Sequence, residues 1–258
     1  MRAVWLTLGA LTTIVALLAS TAALWDGFAS TRMPEDTRQR SIPFSDRKIK
    51  ISSSRGDVHV SIVPGQAGEV FIRGTVRWTR DRPTVSEDWD ARTSTLRLDV
   101  ACPETGRPED PRCMADYLLS VPPETDIEAG TTRGDLDAGH VFGDVRLTSV
   151  SGTVRVNDLA GSLWARVGTG DINAEGLNAD KTDVEVGAGD VNLSFVNPPS
   201  AVRAVVRTSG DVGVFVNSGS YDLTVAGRNT TVDIDKDPAS PRKITAKAPD
   251  GYVTLCCR

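Results

Sequence analysis

Several residue types in this chain could do chemistry, and each occurs in a pattern. "RGD" is spelled twice, at Arg55 to Asp57 and at Arg133 to Asp135, which raises integrin-type receptor binding. Asp171, Asp190 and Asp211 each follow a glycine in phrases of one type, "TGDINA", "AGDVNL" and "SGDVGV". Stacked carboxylates could hold a divalent cation, which favours hard oxygen ligands, or accept hydrogen bonds from turn N–H groups. His59 and His140, the only histidines, could act as acid or base. Cys102 and Cys113 bracket a polar loop, and Cys256 and Cys257 are adjacent.

Most of this chemistry dissolves on inspection. Asp57 and Asp135 hold the same phrase position as Asp171, Asp190 and Asp211, where no Arg precedes. A repeat therefore accounts for both "RGD" tripeptides. Neither histidine has a matched nucleophile, and there is no Ser-His-Asp set, zinc spacing or phosphate loop. Thr153 and Thr231 share the aspartate position and can make a turn bond without the charge. Turn hydrogen bonding is the expected role of the aspartates, and a bridging cation the alternative. The expectation is a non-enzyme with no cofactor and no metal site.

The elements that position these residues follow from the repeat. Its anchors are Gly56, Gly134, Gly152, Gly170, Gly189, Gly210, Thr230 and Gly251, spaced 18, 18, 19, 21, 20 and 21 residues apart from Gly134 onward. Five residues before each anchor stand Ile51, Ala129, Leu147, Ala165, Val184, Val205, Val225 and Ala246. Two after stand Val58, Leu136, Val154, Ile172, Val191, Val212, Val232 and Val253, and four after stand Val60, Ala138, Val156, Ala174, Leu193, Val214, Ile234 and Leu255. All are aliphatic. Alternation at +2 and +4 is the period of a strand with one buried face, and the odd step from −5 to +2 demands a corner. Glycine fits such a corner because it tolerates backbone angles closed to other residues. One repeat cannot bury its own face, so successive repeats must stack.

The predicted fold is thus all-β, a β-solenoid of 18–21 residues per coil over residues 48–258. Aliphatics do not recur every six residues as in a left-handed hexapeptide helix, which favours a right-handed one. The stretches "EVFIRGTVRW", "TLRLDV" and "DYLLSV" between the first two coils also alternate, and are expected to form an N-terminal β-sheet section capping the solenoid.

Residues 3–25 are a charge-free run flanked by Trp5 and Trp25, long enough at ~1.5 Å per residue to cross a bilayer. The expectation is a transmembrane anchor over 1–25, with a cleaved signal peptide as the alternative. Residues 26–47 are polar and aperiodic and read as a juxtamembrane linker. Arg32, Arg38 and Arg40 beyond the span argue for a cytoplasmic body. The loop "PETGRPEDPR" argues the other way, since it needs the staple of a Cys102–Cys113 disulfide, which implies an oxidising compartment. The body is therefore placed outside the cytoplasm. Cys256 is expected to face solvent and Cys257 the core, because neighbours on a strand point oppositely. The 29 basic and 34 acidic residues give a net charge of −5, which speaks against nucleic acid as a partner.

The run "YLLSVPPETDIEAGTTRGDLDAG", with the "SGT-V" and "SGD-V" phrases after it, resembles the bacterial putative-adhesin domain, a β-strand-repeat family without an assigned activity. The likeness covers roughly residues 47–255. It implies a membrane-anchored, envelope-exposed module whose partner is a cell-envelope polymer or an envelope protein. A sensor accessory of an envelope-stress system is the alternative. A polysaccharide-active enzyme is the lesser one, because short coils leave little room for catalytic loops.

Overall fold

The computed structural model describes residues 33–79, 81–103, 113–217 and 219–257, together with Leu17, Ser20 and Thr21. The expected anchor at 1–25 falls almost wholly outside the described residues, as do residues 26–32 and the inside of the cysteine loop, 104–112. Among the described residues no helix is long and apolar enough to cross a membrane.

From Met33 onward the fold is strands and turns. The strands in chain order are β1 (Glu35–Pro43), β2 (Lys48–Ser53), β3 (Asp57–Pro64), β4 (Glu69–Trp78), β5 (Thr84–Asp90), β6 (Thr95–Ala101) and β7 (Cys113–Val121). Then follow β8 (Asp126–Arg133), β9 (Leu136–Val141), β10 (Val145–Ser151), β11 (Val154–Leu159), β12 (Leu163–Thr169), β13 (Ile172–Leu177) and β14 (Lys181–Ala188). The last are β15 (Val191–Phe195), β16 (Ala201–Val206), β17 (Val212–Val216), β18 (Ser220–Asp233), β19 (Asp235–Lys236) and β20 (Lys243–Cys257).

From β8 to β17 the chain runs as parallel coils, each contributing one strand to each of two facing sheets. In the first sheet β8, β10, β12, β14 and β16 are neighbours in that order. In the second, β9, β11, β13, β15 and β17 follow the same order. Equivalent residues stack, so Leu136, Val154, Ile172, Val191 and Val212 form one inward column. All five are essentially inaccessible to solvent. Burying one such side chain contributes roughly 1.5–3 kcal/mol, and the single core is built from such columns. The corners stack as tightly. Gly170 adopts a φ of +129°, and a Cβ there would lie 2.2 Å from the carbonyl oxygen of Gly152 one coil below. Only glycine fits.

Both ends of the stack depart from chain order. The early coil β2–β3 lies between β8–β9 and the later strands β6–β7, all in parallel. Beyond them β5 pairs antiparallel with β6, β4 with β7, and β1 with β4. This is the expected cap, and it is continuous with the solenoid. At the other end β20 inserts between β16–β17 and β18, so the coil built from β18 is last in space although β20 follows it in sequence.

Three expectations are corrected here. Within the 26–47 linker, Glu35–Pro43 is strand β1, with Ile42 buried in it and Phe44 buried just after it. Its alternation is hidden because an edge strand of charged residues is held by backbone pairing rather than by an apolar face. Val205 points outward, since the corner before Gly210 carries one extra residue and Ala204 and Val206 take the inward positions. Val225, Val232 and Ile234 are half-buried or exposed, because among the described residues no coil lies beyond β18 to cover them.

Candidate functional site

The aspartate ladder is a hydrogen-bond ladder between coils. Asp171 Oδ1 accepts the Asp190 N–H at 2.8 Å, Asp190 Oδ1 accepts the Asp211 N–H at 2.8 Å, and Asp211 Oδ1 accepts the Tyr252 N–H at 2.8 Å. Asp135 serves Thr153 in the same way. The donor belongs to the next coil, not to the aspartate's own turn as expected. The second corner repeats the device, with Asp126 accepting from Asp144 and Asp144 from Ser162. No cluster of three or more metal-type ligands occurs among the described residues.

The "RGD" at Arg133 to Asp135 is committed to this scaffold. Asp135 also holds Arg155 at 3.0 Å. Burial works to raise the Asp135 pKa, but the Thr153 N–H and the Arg155 guanidinium outweigh it and leave the carboxyl below its ordinary range. His59 accepts the Asp135 N–H on Nδ1 at 3.2 Å and lies 3.4 Å from Asp57 through Nε2. His140 meets Asp158 at 3.2 Å on the exposed surface. The two histidines do not share a site.

Cys102 and Cys113 are joined by a disulfide that ties the end of β6 to the start of β7, their Cα atoms 5.9 Å apart. Cys256 and Cys257 are free thiols. Cys257 is exposed, contrary to the inward position expected, because β20 has already passed its last core residue, Leu255. Its thiol lies 3.1 Å from the Asp233 carbonyl oxygen.

The most distinctive surface was not singled out from sequence. On the outer face of the first sheet, Lys50, Glu128, Arg146, Trp164, Asp183 and Arg203 occupy one row, each in register with the next. The Arg146 guanidinium lies 4.0 Å from the Trp164 ring centroid, and that of Arg166 lies 4.4 Å from it. Arg166 and Arg203 grip Asp183 at 2.9 and 3.0 Å, and Arg203 continues to Glu185 at 2.9 Å. Burial works to raise the Asp183 and Glu185 pKa values, but these guanidiniums, joined by Arg207 at Glu185, hold both carboxyls below their ordinary range. At the other end of the row Lys48 and Lys50 bind Glu128 at 2.6 and 3.1 Å, and the Lys48 bond lowers its pKa most.

Arg146 stands apart in this row. It is exposed, is held in place by the indole, and has no carboxylate partner among the described residues. An open concavity of about 280 Å³ begins at Arg146 and Trp164 and reaches Lys48 past Asp126 and Asp144. There it meets a second of about 540 Å³, where Arg47, Lys48, Lys50 and Arg92 stand among Asp46, Thr93, Ser94 and Glu128, and Glu128 already holds both lysines. The result is a shallow track along the stack with a pinned guanidinium and an aromatic ring at one end. A signal for it existed in the sequence. Arg146 and Trp164 are 18 residues apart, one coil, and each sits between two inward residues.

These observations define a class: a stacked β-repeat module whose corners and core are occupied with holding the coils together and whose outer faces carry laddered polar side chains. Residues 42–255 match the Toastrack DUF4097 family, and the chain belongs to it. Crystal structures similar to the chain include a putative cell adhesion protein from Clostridium sporogenes, at 11% identity and a TM-score of 0.38, covering 86% of this chain and 100% of that one. Another is a putative adhesin from Parabacteroides merdae, at 12% identity and a TM-score of 0.27, covering 86% and 95%. A third is a putative lipid binding protein from Parabacteroides distasonis, at 12% identity and a TM-score of 0.30, covering 84% and 96%. No curated protein matches the sequence.

Proposed function

We propose that this protein is an extracytoplasmic envelope-interaction module, tethered by residues 1–25, whose contact face is the outer face of the first sheet around Arg146 and Trp164. The observation that carries the reading is Arg146 itself. A guanidinium stacked on an indole keeps its N–H edge free and loses little further entropy on binding, which suits it to carboxylate or phosphate groups. The adjoining track is open and of mixed charge, its cations interleaved with Asp46, Asp126, Asp144 and Glu128, and suits an extended partner better than a small enclosed ligand. An envelope polymer that carries carboxylate or phosphate groups at intervals has that shape and offers Arg146 its partner. The Cys102–Cys113 disulfide supports an oxidising location.

The test is retention of the purified full chain on isolated cell-wall polymer. Arg146→Ala and Trp164→Ala should each weaken retention about ten-fold, and Arg146→Ala should also flatten the loss with salt, whereas Arg133→Ala, at a corner, should leave it unchanged. Equal retention of all three variants removes this face from the function.

A further inference from the structure

We infer that the exposed edge of β18 pairs with the same edge of a second copy of this chain, antiparallel and centred on Val225. Among the described residues the edge is unpaired for a definite stretch. Asp222 donates its N–H to Arg242 O at the start of β20, so the even-numbered residues from Asp222 turn their backbone groups inward. Leu223, Val225 and Gly227 turn theirs outward, as Tyr221 does, whose carbonyl accepts the Asp237 N–H. That contact and β19 cover the strand up to Tyr221, and a bulge between Gly227 and Asn229 ends its regular run. The open, regular stretch is therefore 222–227, and Val225 is the middle one of its three outward residues, Leu223, Val225 and Gly227.

Self-pairing about that residue satisfies three independent requirements. It sets Val225 opposite Val225 and Leu223 opposite Gly227, all with outward backbone groups, which provides about six new hydrogen bonds. It brings Asp222 beside Arg228, the first residue past the regular run, twice, an attractive pair on the solvent face. Arg228 now has only an exposed contact with Asp250 at 3.4 Å. It also continues the core, because Leu223 and Val225 pack against it yet remain half-exposed for want of another coil. No other self-pairing centre within 222–227 gives all three.

The second copy is favoured over a foreign strand by this charge complementarity and by the contrast with the opposite end. There the outermost strands, β1 and β5, carry Glu35, Asp36, Arg38 and Arg40, and Glu87, Asp88 and Asp90. Charges so placed discourage edge pairing. Between Leu223 and Gly227 there are none.

Light-scattering mass of the full chain in detergent tests this, after alkylation of Cys256 and Cys257 so that thiol coupling cannot produce a dimer. The mass should rise to that of two chains with concentration. Val225→Pro removes only an outward N–H, and should give a monomer whose melting temperature equals that of the unmodified chain at concentrations where the latter is also monomeric. Asp222→Arg and Arg228→Asp should each weaken the dimer several-fold, and the double variant should restore it, which keeps the test decisive if the proline variant fails to fold. A monomer at every concentration overturns the pairing and leaves the edge to a strand from another protein. A dimer indifferent to all of these changes overturns it as well.

Discussion

The two ends of the stack solve one problem differently. Each must cover a coil that has a neighbour on one side only. At one end the chain turns back and lays antiparallel strands β4, β1 and β5 across the last coil, so that Val70, Ile72 and Val76 are buried. At the other a parallel coil, β18, is simply left outermost, and Val232 keeps 44% of its surface exposed. At the regular corners glycine is required by the coil before it: a Cβ at Gly170, Gly189 or Gly210 would lie 2.2, 2.2 or 2.1 Å from the carbonyl oxygen of the preceding anchor. The anchor of the outermost coil is Thr230, and it has no positive φ. The comparison teaches that the repeat pattern encodes stacking, whereas the ends are encoded by departures from it.

The largest expected effect separates the middle from the open end. Ile172→Asp should abolish cooperative unfolding, because an isolated buried charge costs several kcal/mol or more. Val232→Asp, two residues after its anchor as Ile172 is after its own, should shift the midpoint in urea by the equivalent of about 0.5 kcal/mol or less. Equal losses would mean that the end coil is covered and the comparison is wrong.

Next comes the disulfide, which closes an 11-residue separation next to the antiparallel cap. Its loss should lower stability by about 3 kcal/mol. Amide exchange should accelerate first in β6, β7 and β4, while β16 and β20 hold their protection. Uniform acceleration would show that the two ends unfold as one unit.

Acid should act on the laddered face of the middle coils. The pKa values of Asp183, Glu185 and Glu128 are lowered in the folded protein, so the unfolded chain binds protons first. The stability they contribute is complete above about pH 5 and is lost as pH falls through their folded values, below the ordinary carboxylate range of roughly 4. Arg203→Gln should flatten the fall in melting temperature between pH 5 and 2. If it does not, the ladder is electrostatically idle.

The smallest effect concerns the aspartate corner. Asp190→Asn keeps an acceptor for the Asp211 N–H and should be nearly neutral, whereas Asp190→Ala should cost about 1 kcal/mol. Calcium should leave the melting temperature of each unchanged. A rise confined to the unmodified chain would turn the ladder into a cation site.

Much of the architecture was legible because a stack writes itself into sequence. Leu147, Ile172, Val191 and Leu255 are all inward, as their spacing required. Val205 failed because "AVV" offers three aliphatics in a row, and a single extra corner residue decides which of them face inward. The position of β20 was hidden, since a spacing of 20 or 21 residues is the same whether a coil docks on its predecessor or slips beneath it. β1 was missed because its pairing is with backbone. The Arg146–Trp164 face was readable in principle but needed the coil register applied to outward residues, which hydrophobic spacing does not draw attention to.

The displaced position of β20 has a consequence for the order of assembly. Regular coils can add one after another, each finding its predecessor already in place. β18 cannot, because its native neighbour along its length is β20, which lies later in the chain. Until residues 243–257 have threaded between, both the β16–β17 edge and the whole of β18 are unsatisfied templates for strand pairing. Closure of this end is therefore expected as a separate, late step after the middle coils have formed, and the interval before it is the time at which the chain is most exposed to pairing with the wrong strand.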